Sequence, residues 1–116
     1  MAGVCLQVCV LCEDSEGAPA GRRLYEALLA ATSGSPDIGI APVDCFAVCE
    51  RPVTLAFQGA GRWSYLVGGA NADRDIPDIL AAARAVAASP DGIPAMADRP
   101  PFFRRGVIGR MPPPNF

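Results

Sequence analysis

The sequence predicts one α/β domain: a β-α-β unit, then a β-hairpin and a helix, with an extended C-terminal arm. Three observations carry this. Short β-branched segments alternate with longer stretches of helical periodicity. Clusters of glycine and proline punctuate them. At 116 residues, 51% hydrophobic and 19% charged, the chain is long enough for one core and too apolar for disorder.

The first segment, Val4 to Val10, is apolar, carries three valines and reads as a strand. A polar loop, E-D-S-E-G, leads to Pro19, which suits the first turn of a helix with Leu24, Leu28 and Ala31 on one face. Ser33, Gly34, Ser35 and Pro36 stop that helix, and a short strand, Ile38 to Val43, follows. Val53 to Phe57 and Trp63 to Val67 form a hairpin around the turn Gly59-Ala60-Gly61, ended by Gly68 and Gly69. Asp75 is placed to cap a second helix, with Pro77 in its first turn and Ile76, Ile79, Leu80, Ala83, Val86 and Ala87 as an apolar stripe. Ser89-Pro90-Asp91-Gly92 ends it. Six further prolines then argue against a helix, so residues 93–116 are expected to be an extended arm beside a domain of residues 1–92. This order is the thioredoxin-like plan, a mixed sheet with helices packed on it.

Charge narrows the function. The net charge of -2 signals neither nucleic acid nor membrane as a partner, and no apolar run approaches the length of a membrane span. The balance is uneven: residues 1–92 hold six arginines against eleven acids, and residues 93–116 hold Arg99, Arg104, Arg105 and Arg110 against Asp98. Histidine is absent, which removes Ser-His triads, Cys-His dyads and His-bearing zinc sites. The N-terminus has no basic n-region followed by a signal-peptide core, so a cytoplasmic location with reduced thiols is expected.

Five cysteines are the main chemical resource. Cys9 and Cys12 bracket V-L at the end of the first strand, and Cys45 and Cys49 bracket F-A-V at the end of the second. In the thioredoxin plan these strands are parallel neighbours, so both pairs are expected at one end of the sheet. Four thiolates there would suit zinc or an iron–sulfur cluster. A redox dithiol would use C-V-L-C alone and leave the second pair unexplained, and the acids after Cys12 would raise a thiol pKa rather than lower it. Incidental buried cysteines would not explain two pairs at two strand ends. Cys5 is expected to be a small core residue on the same face as Cys9.

The segments V-C-V-L-C, D-C-F-A-V-C-E-R-P-V-T-L-A-F, G-R-W-S-Y-L-V-G-G and D-I-P-D-I-L resemble the DUF1636 family of predicted metal-binding proteins. That family looks related to the thioredoxin-like [2Fe-2S] ferredoxins. Three cysteines follow the ferredoxin pattern, with 32 residues between Cys12 and Cys45 and three between Cys45 and Cys49. The departure is the first gap, two residues between Cys9 and Cys12 where the ferredoxins set these cysteines well apart. The resemblance implies a [2Fe-2S] cluster held by Cys9, Cys12, Cys45 and Cys49, with a four-cysteine zinc site as the alternative. It implies an electron carrier rather than an enzyme, a redox partner protein, and a homodimer as the common assembly.

Other features are weighed against simple packing. Arg51 would offset cluster charge, steer a partner or merely face water, and a cis peptide is expected at Arg51-Pro52. Trp63 and Tyr65 are expected to pack on the sheet. In the arm, Phe102 and Phe103 are expected to dock on the domain while the arginines face water, with RNA or an acidic protein as the alternative ligand.

Overall fold

Val4, Leu6 and Val8 alternate with Cys5 and Gln7, so an extended backbone sends the apolar set to one side and leaves the others half-buried. In a computed structural model that describes residues 3–114, this segment is strand β1 (Val4–Cys9). There follow α1 (Ala20–Ala31), β2 (Ile38–Val43), β3 (Leu55–Gln58), β4 (Ser64–Val67) and α2 (Ile76–Ala88). A 3-10 turn at Met96–Asp98, a short helix α3 (Pro101–Gly106) and β5 (Val107–Met111) complete the chain.

The five strands form one sheet in the order β2-β1-β3-β4-β5. Only β1 and β2 are parallel, joined through α1; the other pairings are antiparallel. Helix α1 packs on β1 and β2, and α2 packs on β1 and α3. Leu24 and Leu28 of α1 and Ile79, Ala83 and Val86 of α2 meet Leu6, Val8, Leu55 and Phe57 in a single buried cluster. The thioredoxin-like class expected from the element order is the observed one. Among the described residues no helix is long and apolar enough to cross a membrane.

Three expectations need correction. The segment after residue 92 is not simply an extended arm. Pro100 and Pro101 start a helix instead of preventing one, because a first-turn proline has no intrahelical N–H bond to lose. That helix drives Phe102 and Phe103 into the core, each 1% exposed, and β5 then pairs with β4 at the sheet edge. Residues 115 and 116 of the expected arm lie outside the described residues.

Asp75 stands at the start of α2 but its side chain caps nothing in that helix. Its carboxylate instead accepts the Asn71 N–H at 2.9 Å, pairs with Arg74 at 2.9 Å and lies 3.6 Å from Arg105 of α3. The adjacent Arg74 and the Asn71 N–H, with Arg105 farther off, take up the carboxylate that would otherwise cap the helix. The peptide before Pro52 is not cis; the cis bond lies one residue on, at Pro52-Val53. Three of the arm's arginines, Arg104, Arg105 and Arg110, are exposed to water as expected, and the arm's arginines also touch the chain. Arg99 donates to the Pro94 carbonyl, Arg104 to the Met96 carbonyl, and Arg110 lies over the Trp63 ring at 5.0 Å.

Candidate metal centre

Parallel pairing of β1 with β2 places Cys9 opposite Val43, so the chain leaves both strands at the same sheet end. The ladder runs one step further, with the Val10 N–H donating to the Val43 carbonyl at 2.9 Å. Both cysteine pairs follow directly from these strand ends.

The first pair is buried. Cys9 is 3% exposed and Cys12 8%, and their sulfurs stand 3.0 Å apart, well beyond the ~2.05 Å of a disulfide. The Cys12 thiol donates to the Cys9 sulfur, and the Cys9 thiol donates to the Asp44 carbonyl at 3.4 Å. That second contact joins the first turn to the entry of the second. Burial, the hydrogen bond to Cys9 and the nearby charges of Cys9 and Cys49 push the Cys12 thiol up to about 11, against a lowering contribution from the Thr54 backbone N–H.

The second pair lies in an exposed loop. The Ala47 N–H donates to the Cys45 sulfur at 3.1 Å. Cys49 is raised chiefly by the charge of Cys45, then by partial desolvation, a hydrogen bond to Cys45 and the charge of Cys9. Cys49 is therefore within electrostatic reach of both pairs.

Ala47 has φ of +64°, in the left-handed region that a non-glycine residue enters at a cost of roughly 1–2 kcal/mol. Its side chain is exposed, so packing does not obscure the backbone effect. Ala47→Gly is expected to leave stability within about 0.5 kcal/mol or raise it, because relieved strain offsets the greater flexibility of the unfolded chain. Ala47→Val is expected to cost about 1–2 kcal/mol, because a branched Cβ tolerates positive φ worst. Thermal melts of the two variants test this; equal melting points would refute the strained loop.

Two residues without an obvious sequence signal shape the site. Gly21, buried in the first turn of α1, lies against the Cys9–Cys12 turn, and its N–H donates to the Cys12 carbonyl at 2.9 Å. Thr54 accepts the Cys9 N–H at 3.0 Å through its carbonyl. Arg51, weighed above as a charge near the site, donates to the Arg105 and Gly106 carbonyls at 3.3 and 3.4 Å and so holds the end of α3. Cys5 shares an alternating face of β1 with Cys9, yet it lies four residues away, towards the opposite sheet end, and is half-buried beside Gly39.

All five cysteines are free. Among the described residues no three Cys, Asp or Glu side chains converge on a single point at metal-binding distance. The thiols come instead as two pairs. Four thiols of this kind are a soft donor set whose chemistry fits an iron–sulfur cluster or a four-cysteine zinc site.

The family model described as "Protein of unknown function (DUF1636)" matches residues 6–113. No curated protein matches the chain. Among solved structures, a thioredoxin-like [2Fe-2S] ferredoxin from Aquifex aeolicus is similar at 17% identity and a TM-score of 0.63, with 100% of each chain covered. The wild-type ferredoxin in a further crystal structure is similar at 16% identity and a TM-score of 0.59, over 94% of this chain and 99% of that one. A cysteine-to-serine variant of it is similar at 15% identity and a TM-score of 0.59, over 91% and 98%. These likenesses show the fold.

Proposed function

The chain belongs to the DUF1636 family, and we propose that this member is an iron–sulfur protein holding a [2Fe-2S] cluster through Cys9, Cys12, Cys45 and Cys49. The observation that carries the proposal is the arrival of two thiol pairs at one sheet end of a fold shared with [2Fe-2S] ferredoxins. The cysteines exchanged in two variants of the Aquifex protein lie four residues apart, as Cys45 and Cys49 do.

When bound, the cluster would supply one-electron exchange, which makes the protein a carrier rather than a complete enzyme. The chain's contribution is to bind and tune. Cys9 and Cys12 lie under the surface, where water is excluded and the dielectric is low. The Ala47 backbone N–H donates to the Cys45 sulfur, and such a donor favours the more negative state of a thiolate-ligated centre. Cys45 and Cys49 bring the other edge to solvent, where a partner can approach.

The proposal extends to partners. Leu11, 66% exposed, stands beside Cys12 with Glu13, Asp14 and Glu50 in the adjoining sequence, which suits a redox partner with an apolar centre and a cationic rim. The sheet face away from the helices carries a groove of about 310 Å³ lined by Gln7, Phe46, Ala56, Leu66, Ile108 and Met111, a surface suited to a homodimer contact. Sedimentation of the purified protein distinguishes dimer from monomer.

Against the dithiol reading stands the second pair: a C-x-x-C active site would use Cys9 and Cys12 alone and leave Cys45 and Cys49 without a role. The decisive experiment is purification without oxygen, followed by absorption spectroscopy and metal analysis. Brown protein with two irons per chain is expected, its visible bands lost in Cys45→Ser and kept in Cys5→Ser. Colourless protein with one zinc per chain would defeat the cluster in favour of a structural or metal-handling zinc module.

A further inference from the structure

Among the described residues three polar side chains are buried in the core: Thr32, Thr54 and Asp75. Two have local explanations. The Thr32 hydroxyl donates to the Leu28 carbonyl of its own helix at 2.7 Å, and Asp75 is paired with arginines. Thr54 is different, because its hydroxyl reaches one cysteine segment and its carbonyl the other.

Its hydroxyl, in a residue 1% exposed, reaches the Val48 carbonyl at 3.5 Å and the Arg51 carbonyl at 3.4 Å. Those two carbonyls flank Cys49. Its own carbonyl accepts the Cys9 N–H at 3.0 Å. The next residue, Leu55, opens β3 and pairs with Val8 of β1, so Thr54 is anchored to the sheet while its hydroxyl reaches out to the loop. The loop's other ties lie at its ends and at Phe46: the Cys9 thiol donates to the Asp44 carbonyl, Phe46 packs against the core, and the Arg51 carbonyl accepts the Gly69 N–H at 3.0 Å. Between Ala47 and Cys49 the Thr54 hydroxyl is the contact that comes from the start of β3. A buried hydroxyl is paired as a rule, and these two carbonyls are the acceptors within its reach.

We propose that Thr54 is the positioning residue that holds the Cys45–Cys49 loop in register with the Cys9–Cys12 turn, so that the two thiol pairs meet as one metal-binding site. It acts through the loop carbonyls and touches no metal itself. The inference rests on reading the four cysteines as one site, but not on which metal fills it.

Thr54→Val keeps the shape and removes the hydroxyl; Thr54→Ser keeps the hydroxyl and removes a methyl. One hydrogen bond with a net worth of about 1 kcal/mol corresponds to a factor of about five. In metal-free, reduced protein, the Ala47 and Arg51 amides of Thr54→Val are therefore expected to exchange with solvent deuterium about fivefold faster, by NMR. The Thr32 amide of α1 is expected to be unchanged, and Thr54→Ser to match the wild type at all three. Cadmium, followed by its thiolate charge-transfer absorption, is expected to bind Thr54→Val about fivefold more weakly and Thr54→Ser as the parent does. If Thr54→Val does not fold, Thr54→Ala takes its place as the hydroxyl-free variant.

Equal acceleration at Thr32 and in the loop would mean general loosening and would overturn the proposal. So would unchanged loop exchange in the hydroxyl-free variant, or loss of protection in Thr54→Ser. Neither readout involves iron: a wild type that takes up no [2Fe-2S] cluster defeats the proposed function and leaves the Thr54 result standing. A brown wild type with unaltered exchange in the Thr54 variants does the reverse.

Discussion

Phe103→Ala is expected to destabilise the protein by about 3–5 kcal/mol, the range for removing a fully buried phenylalanine. Phe103 is 1% exposed, with its ring edge-on to Phe57 at 5.4 Å and tilted against Tyr65 at 4.8 Å. Both neighbours belong to the central strands, and neither can relax into the space left without moving the β3–β4 hairpin. Gly106 closes the same contact from the backbone side, because a Cβ there would come within 2.8 Å of the Gly68 carbonyl oxygen. A loss of this size lowers the melting temperature by on the order of 10–20 °C. Met111→Ala, at a residue 64% exposed in the same segment, is the control, expected to change stability by no more than about 0.5 kcal/mol. A cost below about 1 kcal/mol for Phe103→Ala would mean that the segment is a detachable arm rather than part of the core.

That contrast marks where the sequence could be read and where it could not. Local periodicity exposes β1, α1, β2, the hairpin and α2, because Val4-Leu6-Val8 and Ile79-Ala83-Val86 each bury one face on a period that only one element type supports. The joint position of the two cysteine pairs follows from topology alone, since a β-α-β unit makes its strands parallel neighbours. The helix α3 is hidden because six residues carry too little periodicity, and because Pro100 and Pro101 read as breakers until the position after them is known to be a helix start. Asp75 carries the local signature of a cap, but its carboxylate turns to the Asn71 N–H and Arg74 instead, and a further arginine at 3.6 Å, Arg105, comes from thirty residues away in the sequence. Thr54 and Gly21 are silent for the same reason: their importance lies in what approaches them, and a hydroxyl or a missing Cβ does not announce its neighbour.

Gly21→Ala tests that last point at the site itself. Helix propensity alone favours the change by up to about 1 kcal/mol, because alanine is the better helix former. Space decides otherwise. A Cβ on Gly21 would overlap the Cys9 carbonyl oxygen and stand 3.1 Å from the Cys9 carbonyl carbon and 3.2 Å from the Cys12 nitrogen. All three are backbone atoms, which cannot swing aside as a side chain does, so the helix or the turn must shift. Overpacking of this kind costs typically about 1–3 kcal/mol and more where backbone is forced to move, so the steric term outweighs the propensity gain. A net loss of about 2 kcal/mol or more is expected in thermal unfolding of the metal-free protein. The displacement falls on Cys9 and Cys12, which the Gly21 N–H otherwise ties to α1 through the Cys12 carbonyl. Metal uptake should therefore fall further than the lost stability accounts for. Gly34→Ala is the comparison, since nothing lies within 4 Å of a Cβ there. A Gly21→Ala protein as stable as Gly34→Ala, with undiminished metal uptake, would show that α1 does not seat directly on the cysteine turn.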